Sequence, residues 1–265
     1  MKAKIWTIVI VGLLLAGSWL YVSGFEFPWR GDAAELLSTP TSTPAPSSTK
    51  PATFTPTPRT SVTVYPKTSS TSAVLLTVPF AAQAPFGEWS DPRQQDGCEE
   101  ASTIMAMHWV RGDMSLTLEE AKKEILAIAD WEQEKYGSYH DTSTEDTVRR
   151  IFNTYYSYNN VRVENDIVAD EIIEELEDGN LVIIPADGRA LGNPYFTAPG
   201  PERHMLVIVG YDYSREEFIT NDPGTRSGKN YRYKKSVLFN AVRDYATGDH
   251  LPIVGREKNI IVVEK

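Results

Sequence analysis

From Ser38 to Ser72 the chain is built mostly of Ser, Thr and Pro with scattered Ala, Lys and Val, in runs such as Ser38-Thr39-Pro40-Thr41-Ser42-Thr43-Pro44 and Phe54-Thr55-Pro56-Thr57-Pro58. Such a stretch offers too little apolar surface to offset the conformational entropy that folding removes. Residues 25–72 are therefore expected to form a disordered tether, which confines a folded domain to the sequence beyond it. Proline-rich chain favours an extended conformation at about 3.1 Å per residue, so roughly 35 residues of tether reach up to about 100 Å. Ahead of it, residues 1–24 hold the basic flank Met1-Lys2-Ala3-Lys4 and the uncharged, mostly apolar run Ile5 to Val22. A run of roughly 18 residues is long enough to cross a bilayer.

Lysines before the run and Glu26, Asp32 and Glu35 after it place the N-terminus inside and the remainder outside. Residues 1–24 thus read as one N-terminal transmembrane helix, or as a cleaved signal segment, since Val22-Ser23-Gly24 supplies small residues near its end. Residues 73–265 are then a single domain held outside the cell membrane within reach of a cell wall, or secreted if the segment is cleaved. With 36 acidic residues against 26 basic ones the net charge is −10. A surface of that sign repels phosphate backbones, so nucleic acid is not an expected partner.

The sequence contains one cysteine, Cys98. A lone exported cysteine has no internal disulfide partner and is exposed to oxidation, so its presence asks for a chemical reason. Ala101, Ile104, Met105 and Trp109 follow it at helical spacing, which makes Cys98 the start of a buried helix entered through Gly97. The unpaired N–H groups and positive dipole end at such a position stabilise thiolate, the nucleophilic form. Glu99 and Glu100 oppose this unless they point outward. The plain structural alternative is a thiol that merely fills core space.

Helices dominate the first half of the domain. After a strand at Val74 to Phe80 and the Cys98 helix, Thr117-Leu118-Glu119-Glu120 is a capping box opening a helix that buries Leu118, Ala121, Ile125 and Ile128. A third helix begins at Ser143 or Thr144 and carries Val148, Ile151 and Phe152; a fourth runs from about Ile167 to Glu177 and stops at Gly179. The second half changes period: Leu181 to Pro185, Met205 to Tyr211, Glu217 to Thr220, Tyr231 to Lys234 and Asn259 to Val263 are short strand-like runs, with Ser236 capping a helix through Tyr245. This order predicts an α+β fold, a helical half with the nucleophile helix packed on an antiparallel sheet.

A cysteine nucleophile needs a base within hydrogen-bond reach and a group that orients the base. His108 lies on the Cys98 helix about 15 Å away, too far to serve. His250 sits in a polar loop and reads as a solvated surface residue, while His140 lies in a loop that can border a cleft. His204 stands where a loop meets the strand Met205 to Tyr211. Its hairpin partner returns Asn221-Asp222-Pro223-Gly224 beside it, so that Asp222, or Asn221 without the charge, can bond the imidazole and fix its tautomer. An oxyanion hole needs donors near the thiol, for which the Cys98 N–H and one of Gln83, Gln94 or Gln95 are candidates.

The segments Val78-Pro79-Phe80-Ala81-Ala82-Gln83-Ala84-Pro85, Gly97-Cys98-Glu99-Glu100-Ala101-Ser102, Arg203-His204-Met205-Leu206-Val207-Ile208-Val209-Gly210-Tyr211-Asp212 and Thr220-Asn221-Asp222-Pro223-Gly224-Thr225 together resemble the bacteriocin-leader (double-glycine) peptidase-like branch of the papain-like cysteine peptidases. The resemblance spans about Leu76 to Val263. It implies a papain-like fold with Cys98 as nucleophile, His204 as general base and acid, Asp222 as orienting residue and an upstream glutamine as oxyanion donor. The Pro-Phe-x-x-Gln motif assigns that role to Gln83, and the long insertion Ala84 to Asp96 leaves Gln95 in competition. Glu99 stands where leader-processing transporter peptidases usually have Gly. The sequence contains no transporter or nucleotide-binding module, so cleavage of double-glycine leaders during export is not implied.

The function expected from these readings is a membrane-tethered, extracytoplasmic cysteine peptidase acting on peptide or protein through a Cys-His-Asp triad and an acyl-enzyme. The alternatives are an inactive peptide- or wall-binding module of the same fold, and a wall-directed amidase or transpeptidase. No cofactor is expected, and no metal, because the histidines lack helical pairing and the cysteine lacks a second ligand at zinc spacing. Trp89 and Tyr195 lie on loops flanking the expected cleft.

Overall fold

In the computed structural model the described residues are 72–265, so the expected anchor and all but the last residue of the expected tether lie outside them. Among the described residues no helix is long and apolar enough to cross a membrane. The centre of the domain is a strand with no polar face, His204–Asp212, buried along its whole length. Leu206 and Ile208 pack on one side of it and Met205, Val207 and Val209 on the other, the two-residue period of a strand covered on both faces.

The sheet holds seven strands, all paired antiparallel. In chain order they are β1 (Ala73–Leu75), β2 (Val161–Glu164), β3 (Leu181–Ala186), β4 (His204–Asp212), β5 (Glu217–Asn221), β6 (Tyr231–Lys234) and β7 (Ile260–Val263). Their spatial order is β2-β7-β3-β4-β5-β6, with β1 paired to the end of β4. The helices are α1 (Pro92–Gln95), α2 (Cys98–Arg111), α3 (Leu118–Tyr136), α4 (Thr144–Asp146, running on into a π-helix at Thr147–Tyr155), α5 (Ala169–Glu177), α6 (Gly188–Leu191) and α7 (Lys235–Ala241). From α2 and the π-helix, Met105, Trp109 and Phe152 pack on Leu181, Val207 and Val263. On the opposite face Ile172, Leu176 and Leu238 of α5 and α7 pack on Val182, Leu206 and Val262.

The α+β class and the antiparallel sheet are those of the sequence, but the helices cover both faces of the sheet rather than forming a single helical half. The capping box at the start of α3 is present: Glu120 N–H donates to Thr117 Oγ1 at 3.2 Å and Thr117 N–H to Glu120 Oε2 at 2.9 Å. Ala121, Ile125 and Ile128 are buried as the periodicity requires, whereas Leu118 is exposed, one turn before the packed stretch. Only the first residues of the expected Val74 to Phe80 strand join the ladder. The expected helix from Ser236 to Tyr245 begins instead at Lys235 without a side-chain cap and stops at Ala241, because Val242 bridges to Ala186 at the sheet. β2 escaped the sequence reading: its four residues include two charges, and its partner β7 comes about a hundred positions later.

Between α2 and α3 the core contains two carboxyl groups, Glu100 and Glu132, whose oxygens have no hydrogen-bond partner among the described residues. Burial pushes Glu132 up to about 8 although Arg150 opposes it, and burial together with the charge of Glu132 pushes Glu100 well above the usual carboxylate range. A carboxyl raised by folding makes the native state bind more protons than the unfolded chain. Its contribution is therefore favourable at low pH and is lost as pH rises from about 4.5 towards about 8. Glu132→Gln is expected to stabilise the protein by about 1–3 kcal/mol at pH 8.5 and to change little at pH 4.5. Thermal melts at the two pH values check this, and an equal change at both would remove the charge explanation.

Candidate active site

Two chain reversals build the site. In the first, the turn after α1 enters α2 through Gly97, where an added Cβ would lie 2.7 Å from Arg93 O and 3.2 Å from Ile125 Cγ2, so a side chain there would hold α2 off its neighbours. Cys98 is the first residue of α2 and 6% exposed. Ser102 Oγ, one turn on, donates to Met205 O at 3.2 Å and ties this helix to the start of β4.

In the second reversal, β4 and β5 pair with Val207 opposite Asn221, which returns residue 222 to the beginning of β4. His204 Nε2 lies 2.7 Å from Asp222 Oδ1, and both side chains are almost wholly buried, at 2% and 0% exposure. Gly224 N–H also donates to Oδ1 at 3.0 Å, while Oδ2 accepts from Tyr233 Oη at 2.6 Å and Asn193 Nδ2 at 3.2 Å. Burial raises the Asp222 carboxyl, but the His204 charge and this ring of donors outweigh it and hold the group below its usual range. A Cβ on Gly228 would sit 1.8 Å from Asp222 O, so the loop closes this tightly only with glycine there. Asn221 is occupied elsewhere: its Nδ2 donates to Pro79 O at 3.1 Å and its Oδ1 accepts from Asn230 N–H at 3.1 Å. The pairing thereby separates Asp222 from a neighbour that shares its place in the hairpin.

Cys98 and His204 open onto one cleft of about 880 Å³, whose walls include Gln83, Gln95, Trp89, Tyr195 and Arg226. A smaller depression of about 390 Å³, bordered by Asp170, Glu174, Tyr211 and Lys235, has neither thiol nor imidazole. With Nε2 engaged by Asp222, Nδ1 is the imidazole nitrogen left for a further partner. Among the described residues, however, the hydrogen bond made by Cys98 Sγ goes to Glu99 Oε2 at 3.0 Å, and none joins it to His204.

This arrangement works against the thiolate that a helix start favours. Glu99 and Glu100 turn inward, at 2% and 1% exposure, rather than outward. Burial pushes the Cys98 thiol well above its usual range, and the charge of Glu99 and the hydrogen bond to it push in the same direction; only the Met205 backbone opposes them appreciably. The Glu99 carboxylate is held by Tyr245 Oη at 2.7 Å and Thr142 N–H at 3.3 Å, both on Oε1. Burial nevertheless raises Glu99 to about 7. Sequence marked Glu99 as a departure from pattern, but its partners come from residues far along the chain and left no local signal.

Gln83 reaches the cleft with both amide hydrogens committed, donating to Gln94 O at 3.1 Å and Gln95 O at 2.7 Å. Its Oε1 has no partner among the described residues, and its backbone N–H bonds Pro223 O at 2.9 Å, next to Asp222. Gln95 is exposed on the cleft wall, and Gln94 is buried. The two competing glutamines are therefore linked, Gln83 being steadied by the backbone of Gln95. His108 sits at the far end of α2 against Asp113 and Glu124, and His140 lies 3.8 Å from Asp96. His250 is 58% exposed, as a polar loop implies, yet it lines the cleft, where Asp141 at 2.9 Å raises its pKa. Among the described residues no group of His, Cys, Asp and Glu is arranged to hold a metal ion.

Comparison with known proteins adds a family to this geometry. The sequence model of the Peptidase_C39 like family matches residues 75–247. A crystal structure described as that of a C39-like peptidase from Bacillus anthracis aligns over 73% of this chain and 98% of its own, with 16% identity and a TM-score of 0.45. No curated protein matches the chain.

Proposed function

The chain belongs to the Peptidase_C39 like family, and from that premise we propose that it is a cysteine peptidase in which Cys98 is the nucleophile, His204 the general base and acid, and Asp222 the residue that orients His204. The observation that carries this reading is that one cleft receives both the thiol and an imidazole whose Nε2 is held 2.7 Å from a buried carboxylate. Accepting the Nε2 hydrogen leaves Nδ1 as the base, and the negative Asp222 stabilises the imidazolium that forms.

In the reaction the S–H bond breaks as Nδ1 takes the proton, and sulfur adds to the scissile carbonyl carbon. The resulting oxyanion is met by the Cys98 N–H at the start of α2 and by a glutamine amide, Gln83 after it exchanges one of its two carbonyl partners, or Gln95 from the cleft wall. His204 then gives its proton to the departing amine, which leaves an acyl-enzyme on Cys98. Water, deprotonated by the same nitrogen, adds to the thioester carbonyl and releases the acid with the thiol restored. The expected anchor and tether would deliver this domain to peptide or protein substrates outside the membrane, at up to cell-wall distance.

The test is peptide hydrolysis by the full-length chain, using a mixed peptide library with products read by mass spectrometry. Cleavage is expected, falling by about 10²- to 10⁴-fold in His204→Ala. Cleavage undiminished in that variant would remove the imidazole from the mechanism. The Cys98 hydrogen bond to Glu99 in place of His204 favours one second reading, a non-catalytic peptide- or wall-binding module. Peptide binding without any cleavage by the wild-type chain would establish it.

A further inference from the structure

We propose that Glu99 is a positioning residue that latches Cys98 in a resting, protonated form hydrogen-bonded to its carboxylate rather than to His204, and that activity requires the thiol to leave this carboxylate for the imidazole. The inference rests on the reading of Cys98 as nucleophile and His204 as base. Its basis is geometric. Sγ donates to Glu99 Oε2 at 3.0 Å, and among the described residues no hydrogen bond joins Sγ to His204 although both side chains reach the same cleft.

Two donors favour Glu99 as an acceptor against the burial that raises it to about 7. Tyr245 Oη and the Thr142 N–H converge on Oε1, and donors on one carboxylate oxygen favour the ionised group. They arrive from separate segments, one beyond α7 and one before α4, and so hold the carboxylate from two directions. The charged and titratable groups around the thiol act in the same sense: Glu99 and Glu100 on its own helix are acidic, Tyr245 bonds Glu99, and Asp141 beside Thr142 adds negative charge near Glu99. His204, carried by β4, is the group whose positive charge favours thiolate, and its Nε2 is committed to Asp222.

Release of the latch is a rotation followed by a proton transfer. The S–H···O hydrogen bond to Glu99 breaks, the thiol swings towards His204, and the S–H proton passes to Nδ1 to give thiolate and imidazolium. Glu99 neither gains nor loses a proton in this step, so no other reactant is needed. A thiol kept neutral until a substrate displaces it is also poorly reactive towards oxidants and stray electrophiles, since thiolate is the reactive form.

The single cysteine makes two direct tests possible on the full-length chain. The S–H stretching band in its infrared spectrum belongs to Cys98 alone. It is expected at neutral pH, shifted to lower frequency than a free thiol and absent in Cys98→Ala. Absence of the band in the wild type would mean that the resting sulfur is already thiolate and would overturn the latch. Alkylation by iodoacetamide against pH is the second test. Glu99→Gln keeps the shape and an acceptor oxygen but removes the charge, so alkylation at pH 7 is expected to rise about tenfold or more and its midpoint to move down by about one unit or more.

An unchanged or slower rate in a folded Glu99→Gln variant would also overturn the proposal, the slower one by making Glu99 the base rather than the latch. Should that variant fail to fold, the wild-type infrared band still decides. Peptide cleavage measured in parallel separates the two readings. The expected band and midpoint shift without cleavage in wild type or variant would sink the peptidase and leave the latch, whereas cleavage with no midpoint shift would do the reverse.

Discussion

Cys98→Ala is expected to lower peptide cleavage by at least about 10³-fold while leaving the domain folded and its cleft able to bind peptide. The size of the effect follows from the chemistry: alanine has no atom that can form the acyl bond, and the residual rate is whatever the imidazole and oxyanion donors supply to a water. The structural loss is small by comparison. Removing one sulfur from a side chain at 6% exposure costs about 1–2 kcal/mol, and Glu99 keeps its bonds from Tyr245 and Thr142. Cys98→Ser keeps a hydroxyl donor for Glu99 and serves as the matched control, because a hydroxyl is a far weaker acid than a thiol. Wild-type turnover in either variant would remove Cys98 from the reaction. Loss of cleavage with peptide affinity retained would assign the thiol to chemistry rather than to binding.

Asp222→Ala is expected to be strongly damaging, destabilising the domain by about 3–5 kcal/mol and lowering peptide cleavage by whatever folded protein remains. Four donors converge on this carboxylate: His204 Nε2, Gly224 N–H, Tyr233 Oη and Asn193 Nδ2. Alanine strands all of them in a site where Asp222 is 0% exposed, and an unsatisfied buried donor costs about 1–3 kcal/mol. Because the carboxyl lies below its usual range in the folded state, its contribution is present above the unfolded value and is lost as pH falls through the depressed one. The destabilisation should accordingly shrink in strongly acidic solution. Asp222→Asn separates shape from charge: it keeps the size of the side chain and is expected to recover part of the stability while the imidazolium loses its counter-charge. Denaturant melts of the variants against wild type at neutral and acidic pH test this, and an Asp222→Ala melt within about 1 kcal/mol of wild type would show that the donors find other partners.

Much of the site was legible because it rests on local rules. A lone thiol at a helix start, a histidine opening an apolar run and an aspartate closing its hairpin partner are each visible within a few residues, and strand pairing brings the last two together. Hairpin geometry favoured Asp222 for its charge and left Asn221 with similar reach. The register chose, turning Asn221 to the backbone at Pro79 and Asp222 to the imidazole. Periodicity likewise identified most strands and helices, but missed β2, whose pairing with β7 joins segments that share no local signal.

The sequence by itself determined the α+β class, most of the order of its elements and the identity of the thiol, because periodicity and residue chemistry act over short stretches of chain. Only the tertiary structure decided what surrounds that thiol. The rule that a helix start favours thiolate holds in an open environment, and here desolvation and the adjoining Glu99 carboxylate, held in place by Tyr245 and Thr142 from distant segments, outweigh it. Dielectric environment and side-chain direction are properties of the packed molecule, and no reading of residues 97 to 102 alone contains them.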